Sequence, residues 1–288
     1  MTNKYIVASS MGNDSIALIQ FMINGGYDFS VVYNDTGWAS EEWPARVSAA
    51  AAWLLSKGVT LHITKSEGMI NLVKRKKGWP MPASAMQFCT SELKEKPTIE
   101  LLDKIDSGVE LIVVTGRRRE ERQNRRDLAE WQEESVKHDG RDVWNPLVRL
   151  NEKGRDLLLS MTPFGPLPHS SMECSPYVCA NKKDMAKLDT NSARINLIEL
   201  TEIEMGFTKN EKPRTMFRPY RVGGAVGIRQ VIEWSNGKHG HKAKFIPNEY
   251  KFDGVSVSGE GVSDVAYEIE TKQGREFSRQ YDGGYCGS

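Results

Sequence analysis

The chain has 288 residues, 39% hydrophobic and 27% charged, with 39 Lys and Arg against 38 Asp and Glu. That balance excludes a disordered chain. No apolar run approaches the ~20 residues a bilayer span needs, and a net charge of +1 supplies no global field for nucleic acid or membrane, so such a partner needs a local patch.

The opening MTNKYIVASSMG lacks the long apolar segment of a signal peptide, so a cytoplasmic location is expected. Tyr5-Ile6-Val7-Ala8 is short, apolar and β-prone, and it runs directly into Ser10-Met11-Gly12-Asn13-Asp14-Ser15. Ile16 to Met22 then reads as a helix stopped by Gly25-Gly26. A second strand is predicted at Phe29 to Tyr33, ending in Asn34-Asp35-Thr36-Gly37, and an alanine-rich helix from about Glu41 to Lys57. Thr60 to Ile63 is a third strand, Leu93 to Ile105 a helix, and Glu110 to Gly116 the most strand-like run in the chain. Strands alternating with helices imply parallel crossovers: an α/β fold with a parallel sheet flanked by helices. After about residue 205, Gly, Lys, Tyr and short alternating segments such as Gly254 to Gly259 and Ala266 to Glu270 point to a small β-rich or irregular extension. The expected division is therefore 1–204 for the main domain and 205–288 for the extension or cap.

The loop after the first strand carries the clearest chemistry. In an open parallel sheet, ligands bind beyond the carboxyl ends of the strands. Gly12 lets backbone approach an anion, Ser10 and Ser15 offer hydroxyls, and the helix start offers unpaired N–H groups and partial positive charge. Asp14 would repel a bare phosphate, but it suits a Mg²⁺ ion bridging to phosphate oxygens. The plainer reading is a helix start with Asp or Ser as N-cap. Arg117, Arg118, Arg119, Arg122, Arg125 and Arg126 crowd one short segment. Guanidinium forks suit phosphate or sulfate, and at helical spacing Arg118, Arg122 and Arg125 would share a face. Arg117 and Arg122 lead as anion ligands, with the other arginines expected at the surface among Glu120, Glu121, Asp127 and Glu130.

These residues resemble a known family. Ser10-Met11-Gly12-Asn13-Asp14-Ser15 is similar to the SxGxDS loop of the N-type ATP pyrophosphatases and their adenine nucleotide α-hydrolase relatives. Asn34-Asp35-Thr36-Gly37, Phe88 to Pro97 (FCTSELKEKP), Val114 to Arg122 (VTGRRREER) and Trp144-Asn145-Pro146-Leu147 resemble, in order, segments of the phosphoadenosine phosphosulfate (PAPS) reductase branch, across roughly residues 5 to 150. Met216 to Ala225 resembles phage-encoded members. The resemblance implies a nucleotide site of Ser10, Gly12, Asn13, Asp14, Ser15, Asp35, Thr36, Gly116 and Arg117, with Asp35 near the adenosine. It implies catalytic roles for Asp14, Lys94 and Arg122. The plainer roles are a turn at Asp35 and a solvated helix position at Lys94.

Some members of that family carry a cysteine-ligated iron–sulfur cluster. Here Cys89 stands alone where a pair is expected, and Cys174 and Cys179 are separated by four residues rather than two. Cys89, Cys174, Cys179 and Cys286 are thus a tentative cluster set, or a zinc set with His169, against the plainer reading of isolated thiols. Cys286-Gly287 is the nearest match to the C-terminal nucleophile of the sulfonucleotide reductases, but it lacks the flanking Glu and His.

Two activities follow from the resemblance, and basic segments, whose plainer role is a solvated face, offer a third reading. In the first, Mg²⁺-ATP is cleaved between its α and β phosphates, pyrophosphate leaves, and an activated acceptor receives sulfur or nitrogen, with a cysteine desulfurase as a possible donor. In the second, a thiol reduces PAPS to sulfite with a thioredoxin-like dithiol. In the third, the basic segments Lys74 to Lys77 and Lys238 to Lys244, with Trp234 and Tyr250, hold DNA or tRNA for modification. A homo-oligomer is compatible with all three.

Overall fold

The computed structural model describes residues 4–81, 86–105, 110–121, 125–167, 172–189, 192–210, 213–217 and 227–237, and the backbone of 251–252 and 255–256. They fall into two compact units, one within Met1–Met69 and Phe88–Tyr177, the other within Ile70–Gln87 and Val178–Cys286. The composition change near residue 205 lies inside the second unit.

The first unit is built on six strands: β1 (Lys4–Ser9), β2 (Phe29–Asp35), β3 (Thr60–Lys65), β4 (Leu111–Thr115), β5 (Trp131–Ser135) and β6 (Arg141–Trp144). Their order is β3-β2-β1-β4-β6-β5. Every adjacent pair is parallel except β5 with β6. The parallel strands expected from sequence are therefore present, and β5 adds an antiparallel edge.

Burial explains why β1, β2 and β4 read as continuous apolar runs, since both faces of a parallel sheet are covered. Alternate residues go to opposite sides. Val7, Val31 and Val114 join a core with α1 (Asn13–Asn24), α2 (Trp43–Ser56) and Leu159 of α6 (Glu152–Leu159). Ile6, Val32 and Val113 join a second core with Leu102. Leu102 lies on α5 (Lys96–Ile105), which continues from a short α4 (Phe88–Thr90) and a π-helical turn (Ser91–Glu95). The helix predicted from Leu93 to Ile105 thus begins earlier and includes a widened turn.

The segment after β6 is fixed by a buried amide. Asn145 is fully buried; its Nδ2 donates to the Ala129 carbonyl at 3.0 Å, and its Oδ1 accepts from the Thr115 hydroxyl. This ties the end of β4 to the strand beside it.

The second unit contains α3 (Met69–Lys76) from Ile70 onward, α7 (Lys182–Met185), α8 (Ala193–Met205), α9 (Gly227–Ser235) and a two-stranded hairpin, β7 (Lys251–Phe252) with β8 (Val255–Ser256). Buried Glu202 accepts N–H donors from Met216 at 2.8 Å and Ile228 at 2.9 Å, and burial pushes its carboxyl up to about 8. Among the described residues after 205, extended pairing occurs in that hairpin and in a bridge between Phe207 and Pro213, while α9 is helical because Ile228, Val231 and Ile232 bury one face. Ala266 to Glu270 lies outside the described residues.

Asn145→Ala leaves the Ala129 carbonyl and the Thr115 hydroxyl without their partner, so it is expected to lower stability by about 2–4 kcal/mol. Urea unfolding followed by tryptophan fluorescence measures this, and a loss within experimental error would show that the amide does not hold β4 to its neighbour.

Candidate functional site

The strand order changes direction between β1 and β4. From β1 the chain builds outward to β2 and β3, and then crosses to β4 on the other side. The loops leaving β1 and β4 therefore part at a topological switch point, where open α/β sheets form their ligand crevice. The loop after β1 is Ser10 to Gly12, and the loop after β4 begins at Gly116.

The two loops touch closely. A Cβ on Gly116 would lie 2.9 Å from the carbonyl oxygen of Asp14 and 3.2 Å from its carbonyl carbon. Only glycine lets the end of β4 lie against the first turn of α1. Gly12 is the N-cap of α1, and no side chain caps the helix. Its φ of −77° is ordinary, and a Cβ there would meet only the Ser10 hydroxyl, at 3.3 Å. The first-turn amides of a 12-residue helix thus face the switch point without a capping side chain.

The loop is braced by its own residues. The Ser10 N–H donates to the Ser15 hydroxyl at 3.1 Å, and the two hydroxyls lie 3.2 Å apart. Met11 adopts a left-handed φ of 62° with its side chain fully buried, and its N–H donates to the Ser9 hydroxyl at 3.1 Å. Asn13 exchanges two bonds with the Leu167 backbone, at 2.9 and 3.2 Å. Its side chain thus ties the start of α1 to the 160s loop, and its backbone amide belongs to the first turn.

Asp14 does not stand alone. Its Oδ1 lies 2.5 Å from Nε of Arg118, whose side chain is only 5% exposed. Arg118 Nη1 also reaches Glu120 at 3.2 Å and the Leu150 carbonyl at 3.3 Å. The expectation that Arg118 is a surface arginine is overturned. Residues 116–121 are extended and turned rather than helical, so Arg118 does not take the sidedness read from helical spacing and points inward. Arg119 donates twice to the Leu128 carbonyl, at 3.0 and 2.8 Å, and Arg125 pairs with Glu121. Arg117 is half-buried. Burial and then Arg125 press its guanidinium downward from its ordinary value, while Glu95 and Glu121 support the charge. Arg122 lies outside the described residues.

A second cluster gathers at the end of β2. Asp35 Oδ1 accepts the Gly37 N–H at 3.0 Å, with Gly37 at a φ of 62°, and Thr36 is buried. Asn34 bonds Thr98 of α5 at 3.0 Å. Trp38 donates to the Pro176 carbonyl at 3.0 Å and accepts the Ser175 N–H at 2.8 Å, which ties the 172–176 segment to the β2 loop. Helix and segment thus bring Lys94, Cys89, Glu173 and Cys174 together. Lys94 is not a solvated position. Cys174 foremost, then Glu173, Cys89 and Tyr177, outweigh burial and raise its ammonium above the ordinary value. Burial and Cys174 push the Cys89 thiol up to about 11, with Lys94 opposing, and burial with Asp35 pushes Tyr33 up to about 12.

Among the described residues, no three His, Cys, Asp or Glu side chains converge as a metal site. Cys89 and Cys174 share a neighbourhood with an ammonium group, Cys179 belongs to the other unit, and Cys286 and His169 lie outside the described residues. In the basic run, Lys74 pairs with Glu204 at 2.6 Å, while Lys238 to Lys244 and Tyr250 lie outside the described residues.

The family model of the phosphoadenosine phosphosulfate reductase domain matches residues 4–164, more than half of the chain. The chain belongs to this family. The matched span of the reductase domain includes the Ser10–Ser15 loop, Asp35, Lys94 and Gly116. No curated protein matches. Among solved structures, two of Candida glabrata FMN adenylyltransferase are similar at 11% identity and a TM-score of 0.34, one with FAD and inorganic pyrophosphate, the other with FMN and the ATP analogue AMPCPP. The first alignment covers 54% of this chain and 47% of that one, the second 56% and 48%, so the chain spans about half their length.

Sequence reading missed the Asp14–Arg118 pair and Arg46, whose Nε donates to the Met11 carbonyl at 2.7 Å. Trp43 followed three residues later by Arg46 was the one local sign, since residues at that spacing share a helix face.

Replacing Lys94 with Met removes the cation that opposes the upward shift of Cys89. Alkylation of Cys89 by iodoacetamide at pH 9, followed by mass spectrometry, is expected to slow. An unchanged rate would detach Lys94 from the thiols.

Proposed function

We propose that the protein is an enzyme that binds an adenine nucleotide with its polyphosphate on the Ser10–Ser15 loop and cleaves ATP between the α and β phosphates. The observation that carries this reading is the uncapped first turn of α1 at the β1/β4 switch point, packed against Gly116. Unpaired amides with the positive end of a helix dipole form an anion site.

The chain's own groups have separable tasks. Gly12 and the first-turn amides hold the leaving pyrophosphate, while the Ser10 and Ser15 hydroxyls keep the loop closed. Arg117, at the end of β4, offers a guanidinium toward charge that develops on the phosphates. Asp35 and Thr36, in the turn after β2, stand where the adenosine end would lie. Asp14 fits a Mg²⁺ ion in a limited way: Arg118 pairs with its Oδ1 and orients the carboxylate, which would hold the ion. Such ions are held by one or two carboxylates together with substrate phosphates and water. Bound there, Mg²⁺ would neutralise polyphosphate charge. An acceptor oxygen is adenylylated as pyrophosphate leaves, and a sulfur or nitrogen nucleophile then attacks the carbon that bears this oxygen, breaking the C–O bond and displacing AMP. Nucleic acid is one acceptor class, with a cysteine desulfurase as sulfur donor.

The thiols around Lys94 favour a second reading. There the nucleotide is PAPS: a thiolate attacks its sulfur, adenosine 3′,5′-bisphosphate leaves, and a dithiol carrier such as thioredoxin releases sulfite and becomes a disulfide. Cys286, the expected nucleophile, lies outside the described residues.

Pure protein with Mg²⁺ and either ATP or PAPS, assayed for pyrophosphate and for thioredoxin-dependent sulfite, separates the two. Pyrophosphate without sulfite is expected, and sulfite would select the second reading. Asp14→Asn is expected to lower pyrophosphate release by roughly 100-fold or more; full activity in that variant would remove Asp14 from the metal site. Gly116→Ala forces a methyl group against the Asp14 backbone. It is expected to slow the same release by about 100-fold through misplacement of the first turn, and wild-type turnover would show that the close approach is not needed.

A further inference from the structure

We propose that Arg46 is a positioning residue for the phosphate loop, holding the Met11–Gly12 peptide plane so that the Gly12 N–H is aimed and polarised toward a bound anion. The inference rests on the reading of the loop as a polyphosphate cradle.

The geometry begins with the peptide bond. The carbonyl of Met11 and the N–H of Gly12 belong to one planar trans unit and point in opposite directions. Whatever grips the carbonyl oxygen fixes the direction of the amide. Arg46 Nε donates to that oxygen at 2.7 Å. A charged donor makes a short, strong bond, and drawing electron density toward the oxygen makes the N–H on the far side a better donor. The Gly12 N–H has only a long contact of its own, 3.4 Å to the Ser10 hydroxyl. It is poised to exchange that contact for a stronger acceptor.

The grip is costly to the fold in two ways. Met11 sits at a φ of 62°, a region that non-glycine residues occupy rarely, and its side chain is fully buried. Arg46 Nη2 is buried without a hydrogen-bond partner. An unpaired buried donor calls for an explanation, and strain of this kind collects at functional sites. The surroundings hold the guanidinium in place regardless. Its central carbon lies 5.8 Å from the centroid of the Trp43 ring and 5.2 Å from that of Phe164. Both distances are in the range of cation–π attraction. Phe164 lies in the same loop as Leu167, which Asn13 clamps. The phosphate loop is therefore gripped on one side through Met11 and on the other through Asn13. Lysine reproduces the grip only in part, because its ammonium lacks the flat guanidinium fork.

The test uses the full chain and the variants Arg46→Met, which keeps an apolar stem against Trp43 and Phe164, and Arg46→Lys. Inorganic pyrophosphate with Mg²⁺, ATP with Mg²⁺, and adenosine serve as probes in calorimetry. Arg46→Met is expected to bind pyrophosphate and ATP about tenfold more weakly, the size of one charge-assisted hydrogen bond. Adenosine affinity is expected to stay as in the wild type, with Arg46→Lys recovering only part of the loss. Unchanged pyrophosphate affinity in Arg46→Met would overturn the proposal, and so would an equal loss for adenosine, which would indicate general damage. The ¹⁵N–¹H resonance of Gly12 gives a readout that needs no ligand. Arg46→Met is expected to move it, and an unmoved Gly12 resonance overturns the anchor. If the wild-type protein bound none of the phosphate probes, the cradle reading would fail, and the Gly12 resonance alone would decide whether Arg46 sets the peptide plane.

Discussion

The close contact between Gly116 and the backbone of Asp14 is the constraint on which the site depends. It brings the end of β4 against the first turn of α1, at the place where strand order reverses. A side chain at residue 116 would push the two apart and shift the uncapped first turn of α1 away from the end of β4. The contact itself follows from the parallel pairing of β1 with β4, which sets Ala8 beside Thr115 and leaves both chains to turn at the same level. Hydrophobic burial on both faces of the sheet holds that pairing, and the buried Asn145 amide secures β4 from the far side.

Around that contact the charges are arranged in sequence. Arg118 turns inward to Asp14, Arg117 stays half-buried near Arg125, Glu95 and Glu121, and Arg119 and Arg125 are spent on the Leu128 carbonyl and Glu121. One arginine-rich stretch thus serves different ends. A buried guanidinium beside a carboxylate orients it, whereas arginines bonded to their own loop shape the backbone. The thiols at the end of β2 form a separate electrostatic group, with Lys94 held between Cys174, Glu173 and Cys89.

Much of this architecture was legible in the residues. The apolar runs of β1, β2 and β4 are long enough to be strands and unbroken because neither face meets water. The loop Ser10 to Ser15 follows a strand and opens a helix, which is where an anion site belongs. The arginine segment was not legible in the same way. Helical spacing places Arg118 with Arg122 and Arg125, yet the chain leaves β4 in an extended turn, and periodicity carries no information once the backbone is not periodic. Asn13 was likewise ambiguous, since its bond partner, Leu167, lies far along the chain and nothing local announces it.

The sequence by itself determined the α/β class, the family and the positions of the loops that carry polar chemistry, because hydrophobic periodicity, glycine placement and short motifs are local properties. Only the tertiary structure decided which polar groups meet. Pairing Asp14 with Arg118, Met11 with Arg46, and Cys89 with Cys174 around Lys94 depends on contacts between distant segments. Such contacts are set by strand order and packing, which no single stretch of residues encodes.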